Sequence, residues 1–181
     1  PNIVQVVTAF PCRSVHDLEG RKIRAPGNTV AFLDAVGATV VTMPYADVYM
    51  AIKLGTVDGY SGGLQAIEDI KLKEVVVGAV VDPPITQGYD GLYINMDSFN
   101  KLPDDLKLLI KRDAPNYFAA CALRVKMNYT VMLAKAAEEY GLEYWTWPSE
   151  DLEWATQRVM EKAWPEMAAA NPRCKILMDS I

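Results

Sequence analysis

The sequence predicts an α/β fold, and three observations carry that prediction. Three short apolar runs, at residues 22–25, 38–43 and 57–60, alternate with two helical patterns at 29–36 and 45–54. This order and spacing are what a parallel sheet with crossover helices requires. The run 38–43 is almost continuously apolar, as expected of a strand covered on both faces. In such sheets ligands bind at the carboxyl ends of the strands, and Arg24, Tyr45 and residues 60–63 fall at or just past those ends.

Composition sets the outer limits. A chain of 181 residues with 51% hydrophobic and 23% charged residues can bury a substantial core. The net charge of −5, with basic residues scattered along the chain, argues against nucleic acid as a partner. No apolar stretch approaches the roughly 20 residues needed to span a bilayer. The opening PNIVQVVTAFPC has neither Met nor a basic n-region, so it reads as the middle of a strand in a longer polypeptide, not as a signal peptide. Cys12, Cys121 and Cys174 are too widely spaced to suggest a metal knuckle.

Taken in order, residues 3–10 are β-branched and apolar, a buried strand stopped by Pro11. Ser14 and Asp17 are candidate caps for a short helical turn closed by Gly20. Pro26 and Gly27 stop the next strand, Asn28 or Thr29 caps the following helix, and Gly37 ends it. Gly55 ends the second helix. Residues 57–60 form a strand and 61–63 a loop of wide backbone freedom, followed by a helix over 64–73. Residues 75–81 suit either a strand or the end of a packed helix. After the stiff Asp82-Pro83-Pro84 connector, residues 89–95 read as a strand and 96–102 as a helical turn. From 104 to 140 the pattern is helical, with Pro115 expected to break or kink it near Asp113. Gly141 closes that run, residues 142–147 form a strand, and a last helix starts at Ser149. Pro172 is expected to end the regular pattern.

Two stretches carry candidate chemistry. Residues 59–63, GYSGG, match the G-x-S-x-G nucleophile elbow between a strand and a helix. A hydrolase using Ser61 needs an acid and a histidine later in the chain, and the only histidine, His16, lies upstream. Arg24 is the stronger signal, because a guanidinium in an otherwise apolar strand needs a partner. It either clamps a ligand carboxylate through parallel hydrogen bonds, or lies on the wet face, or pairs with an acid such as Asp58. Tyr45, Tyr49 and Tyr60 are candidate walls of a ligand site. The residues alone point to a concave site for a small anion without a complete catalytic set.

Five blocks then resemble one family in order. They are residues 17–27 (DLEGRKIRAPG), Gly37-Ala38, residues 43–49 (MPYADVY), residues 55–59 (GTVDG), and the pair 93–95 with 102–106 (YIN, LPDDL). Together they resemble the DctP family, the solute-binding proteins of TRAP transporters, over about residues 14–140. The resemblance implies a periplasmic-binding-protein-like, two-lobe α/β fold with parallel or mixed sheets, of which this chain is the second lobe plus part of the first. Residues 1–86 would be the ligand-binding lobe with a hinge strand, 87–140 the return crossing toward the other lobe with a long helix, and 141–181 a hinge strand with the C-terminal helices. The N-terminal lobe would be missing.

The implied function is a periplasmic, extracytoplasmic receptor that delivers a small organic acid to membrane permease subunits, and not an enzyme. A sensor protein of the same fold, or a serine hydrolase using residues 59–63, are the alternatives. The family's signature arginine falls on Arg24, and the aromatic of its MPF block on Tyr45. The loop after VDG departs from the family's Asn or Glu-Trp versions, which argues against a metal; Tyr60, Ser61 and Gly62 take its place. Thr86, Gln87 and Tyr89 are expected on the opposite wall, and no cofactor is implied.

Overall fold

The computed structural model describes residues 2–88 and 91–178. Seven strands form one mixed sheet in the order β3-β2-β4-β1-β5-β7, with β6 also paired to β1. The strands are β1 (Asn2–Thr8), β2 (Lys22–Arg24), β3 (Thr39–Val41), β4 (Gly59–Gly62), β5 (Gly78–Asp82), β6 (Thr86–Gly88) and β7 (Glu143–Thr146). β2 is parallel to both β3 and β4, and β5 is parallel to β7, so the predicted crossover units are present. β1 is antiparallel to β4, β5 and β6 and therefore runs against its neighbours.

The helices are α1 (Gly27–Ala35), α2 (Val48–Lys53), α3 (Ala66–Asp69), α4 (Met96–Asn100), α5 (Asp104–Glu138), α6 (Ser149–Ala170) and α7 (Pro172–Met178). Short 3₁₀ turns precede α2 and follow β1. In the turn after β1, Ser14 and Asp17 form the reciprocal capping box that their spacing suggests. Gly37 and Gly55, just past the ends of α1 and α2, take positive φ, the conformation a helix exit demands of its last residue. Thr29 does not cap α1: its hydroxyl donates to the Pro26 carbonyl at 3.1 Å.

Strand alternation splits the core between the two faces of the sheet. Val7, Tyr60 and Ala79 meet α2, α3 and the end of α5 on one face, where Val48, Ile67, Leu72 and Met132 are buried. Val6, Ile23 and Val80 meet α1 and α6 on the other, with Leu33, Trp145 and Trp147. Each fully buried Val or Leu removes enough apolar surface from water to contribute about 1.5–3 kcal/mol before entropy is counted.

Several expectations are corrected. Residues 61–63 are not a free loop: Ser61 and Gly62 belong to β4, because β1 supplies antiparallel partners in Val6 and Gln5. The helix expected over 64–73 is shorter, with α3 followed by a 3₁₀ turn at Leu72–Glu74. The ambiguous run at 75–81 is the strand β5. Residues 91–95 form no strand; Tyr89 and Asp90 lie outside the described residues. Pro115 does not divide α5, which runs for 35 residues. The carbonyl deprived of its N–H partner there belongs to exposed Lys111, where water replaces the lost bond. Pro172 opens α7 instead of ending regular structure, a position at which its missing N–H costs nothing.

α5 is about 52 Å long at 1.5 Å per residue. Only Met132 and Ala136 on it are buried. Its C-terminal end is fastened by the Lys135 ammonium to Glu68 at 2.6 Å and by the Tyr144 hydroxyl donating to the Leu133 carbonyl at 2.6 Å. Upstream, Leu108, Leu123 and Met127 are exposed.

Leu33→Ala should destabilise the protein by about 2–5 kcal/mol in urea unfolding, because the side chain is fully buried between α1 and the sheet. Leu54→Ala, at a position 72% exposed, should change stability by no more than about 0.5 kcal/mol.

Candidate functional site

Arg24 is the last residue of β2, and its backbone neighbours are Val41 on β3 and Tyr60 on β4. Its half-buried side chain is held from one edge. Nε and Nη2 both donate to the Met43 carbonyl, at 3.2 and 3.1 Å. The guanidinium carbon lies 5.5 Å from the centre of the Tyr60 ring, a cation–π contact. Among the described residues no carboxylate pairs with Arg24. Asp58, the internal acid nearest in sequence pattern, is committed elsewhere: it accepts from the Lys22 N–H at 2.8 Å and sits 4.0 Å from Arg21. One edge of the fork is thus tied to a neutral oxygen, and its remaining N–H groups are open to an acid from solution.

Two phenols stand beside the guanidinium. Tyr45, at the start of the 3₁₀ turn that leads into α2, places its ring 6.0 Å from that of Tyr60. Burial, reinforced by Tyr60 and Asp69 and opposed by Arg24, pushes the Tyr45 hydroxyl up to about 12. Burial also raises Tyr60, while Arg24 and the Gly63 backbone N–H pull it back. Both rings therefore stay neutral at physiological pH, as donors and as apolar walls. Asp69, at the end of α3, is an acid near both rings that sequence pattern did not single out.

The other predicted positions part company. Gly62 leaves no room for a ligand, because a Cβ there would overlap the Tyr60 phenol. Ser61 opposes Val6 across the ladder and so faces the opposite side of the sheet from Tyr60. It is fully buried, and its hydroxyl has no partner among the described residues. His16 lies against the Trp154 ring at 4.3 Å on the 3₁₀ turn after β1. Ser61 has neither the exposed elbow nor the base a nucleophile needs. Thr86 and Gln87 lie in β6, opposite Val4 and Ile3; Tyr89 lies outside the described residues, as does the side chain of Gln87.

A separate groove of about 380 Å³ runs between Phe32, Pro83–Ile85 and α6, lined by Trp147 and Trp164. No charged side chain lines it, so it offers nothing to hold a carboxylate. Among the described residues no three His, Cys, Asp or Glu side chains converge as metal ligands. No described helix is long and apolar enough to cross a membrane.

The fold is that of TRAP periplasmic solute-binding proteins of known structure. A TRAP periplasmic solute-binding protein from Desulfovibrio salexigens with bound orotic acid matches with a TM-score of 0.82 at 17% identity, over 98% of this chain and 58% of that one. One from Rhodoferax ferrireducens with bound malonate matches with a TM-score of 0.72 at 19% identity, over 98% and 57%. The sialic acid-binding periplasmic protein SiaP of Vibrio cholerae is 27% identical over 104 residues, which are 56% of this chain and 32% of SiaP. The family model for bacterial extracellular solute-binding proteins, family 7, matches residues 2–171, and the chain belongs to that family, DctP. It spans little more than half the length of the solved relatives.

Alkaline titration followed by tyrosinate absorbance should show a late phase near pH 12 to which Tyr45 and Tyr144 contribute. Tyr45→Phe should shrink that phase and leave the ordinary one near 10 unchanged; loss from the ordinary phase would contradict the burial of Tyr45 against Tyr60. Because folding raises these two groups, the stability they contribute is intact below pH 10 and is lost as pH climbs toward 12.

Proposed function

We propose that this chain forms the carboxylate-holding part of a periplasmic receptor that captures a small organic acid and delivers it to TRAP-type membrane permease subunits. It binds its ligand without transforming it, so it is not an enzyme. The observation that carries the reading is Arg24: a guanidinium at the carboxyl end of a strand, oriented by a carbonyl and not neutralised by any described acid. The ligands in the names of the solved relatives, orotic acid and malonate, are of the class such a group would hold.

In this reading Arg24 fixes the carboxylate through its open N–H edge, and Tyr45 supplies an apolar wall with a hydroxyl at its tip. Tyr60 backs the guanidinium, and Thr86 and Gln87 of β6 are assigned to the facing wall. Closure of a second lobe over the site expels water, which strengthens the ion pair in the lower local dielectric. Residues 1–86 make up the binding lobe, 87–140 cross toward the other lobe, and 141–181 return through a hinge strand to the C-terminal helices. The apolar side chains that α5 leaves exposed, with Tyr93 91% exposed ahead of it, support a second lobe seated there.

A thermal-shift screen of mono- and dicarboxylates should find an acid that stabilises the protein. For that acid, Arg24→Ala should cost about 2–5 kcal/mol of affinity in titration calorimetry, the scale for removing one partner of a buried charged pair. Arg24→Lys should recover only part of it, since an ammonium lacks the planar fork. Unchanged affinity in Arg24→Ala would retire the proposal.

A further inference from the structure

Gly62 lies inside β4, where a glycine weakens a strand and often marks the close approach of another group. Its φ is not positive, so the backbone would accept an alanine there without strain. What demands a glycine is the Tyr60 side chain. A Cβ on Gly62 would overlap the phenol oxygen and the ring carbon that bears it, and Tyr60 is only 5% exposed. The adjoining Gly63 is under no such demand. A Cβ there would overlap only the amide at the far end of the half-buried Gln65 side chain, which can swing aside.

Residues two apart on a strand share a face, which is why the Tyr60 ring can reach over Gly62. Lying there, the ring has two neighbours. The Arg24 guanidinium carbon stands 5.5 Å from its centre, and the Tyr45 ring is tilted against it at 57° and 6.0 Å. Arg24 and Tyr60 are also partners in the β2–β4 ladder, so their side chains spring from adjacent points of the sheet. The guanidinium is therefore held from two directions. The Met43 carbonyl accepts from Nε and Nη2, and the aromatic ring lies against the charged group. Two hydrogen bonds that meet at one oxygen act as a pivot; the ring is what stops the group from turning about it.

Resting on the reading of Arg24 as the carboxylate holder, we propose that Gly62 is a positioning residue for ligand capture. Its bare Cα lets the Tyr60 ring settle against the guanidinium, and the ring fixes the angle at which the open N–H edge is presented. Gly62 touches no ligand; it acts through Tyr60 and then Arg24. The gain is preorganisation: a side chain already ordered gives up less freedom on binding than one that the ligand must order. The ring supplies this, not the hydroxyl, because the contact with the guanidinium is made by the ring.

The test titrates lactate, pyruvate, malonate and orotate into the wild-type chain by calorimetry and carries the tightest binder through a set of variants. Gly62→Ala should weaken that acid about 10-fold or more, because the displaced ring no longer orders the guanidinium. Gly63→Ala and Tyr60→Phe should stay within about 3-fold of wild type, since both leave the ring in place. Tyr60→Leu should lose about as much as Gly62→Ala, and adding Gly62→Ala to Tyr60→Leu should cost nothing more, as expected of two residues acting through one contact. A merely structural glycine would weaken binding equally in both backgrounds. Wild-type affinity in Gly62→Ala, equal loss in Gly63→Ala, or full additivity with Tyr60→Leu overturns the proposal while the receptor reading stands. Should Gly62→Ala fail to fold, Tyr60→Leu decides alone, and wild-type affinity there overturns it. If no acid binds, or if binding survives Arg24→Ala, the receptor reading fails and this inference with it.

Discussion

A guanidinium that is anchored but not neutralised gives this chain its character. The Met43 carbonyl takes two N–H groups of Arg24, enough to hold the side chain in place without cancelling its charge. A carboxylate partner inside the protein would have done both, and the site would then be an internal ion pair. Asp58 could have been that partner, but it is turned toward the Lys22 backbone and Arg21. Positive charge is thereby presented at the strand end, flanked by two phenols that burial keeps protonated.

The sheet makes this possible. β2 is flanked by the parallel strands β3 and β4, so three carboxyl ends stand side by side and bring Arg24 and Tyr60 into register. β1, running the other way, carries β4 two residues further than its own apolar run and lays the Tyr60 phenol over Gly62. The two faces of the sheet are filled by separate apolar clusters, which gives each strand one correct register. Rigid strands and a glycine that admits the Tyr60 ring hold the charged group in place. The cost is borne by Ser61, whose hydroxyl is buried in the sheet with no partner among the described residues.

Much of this was legible in the sequence because it is local. Alternating apolar runs and helical patterns located β2, α1, β3, α2 and β4, and glycines past helix ends located the exits. Arg24 was legible as a charge in an apolar strand, and five ordered blocks identified the family. What was not legible depends on distant partners. Residues 61–62 look like a loop until β1, far upstream, pairs with them. Pro115 looks like a break until the surrounding helix turns out to be exposed, so that water takes the place of the lost bond. The role of the Met43 carbonyl left no trace at all, since a backbone oxygen has no residue identity.

The most direct test of the account is guanidinium ¹⁵N–¹H NMR of the Arg24 Nε and Nη groups, assigned by their loss in Arg24→Lys, during titration with an acid that binds. The account predicts that these resonances shift and that rotation about the Nε–Cζ bond slows as the carboxylate closes the open edge of the fork. Saturable binding of the acid with the Arg24 resonances unmoved would contradict it, and would place the ligand somewhere other than the end of β2.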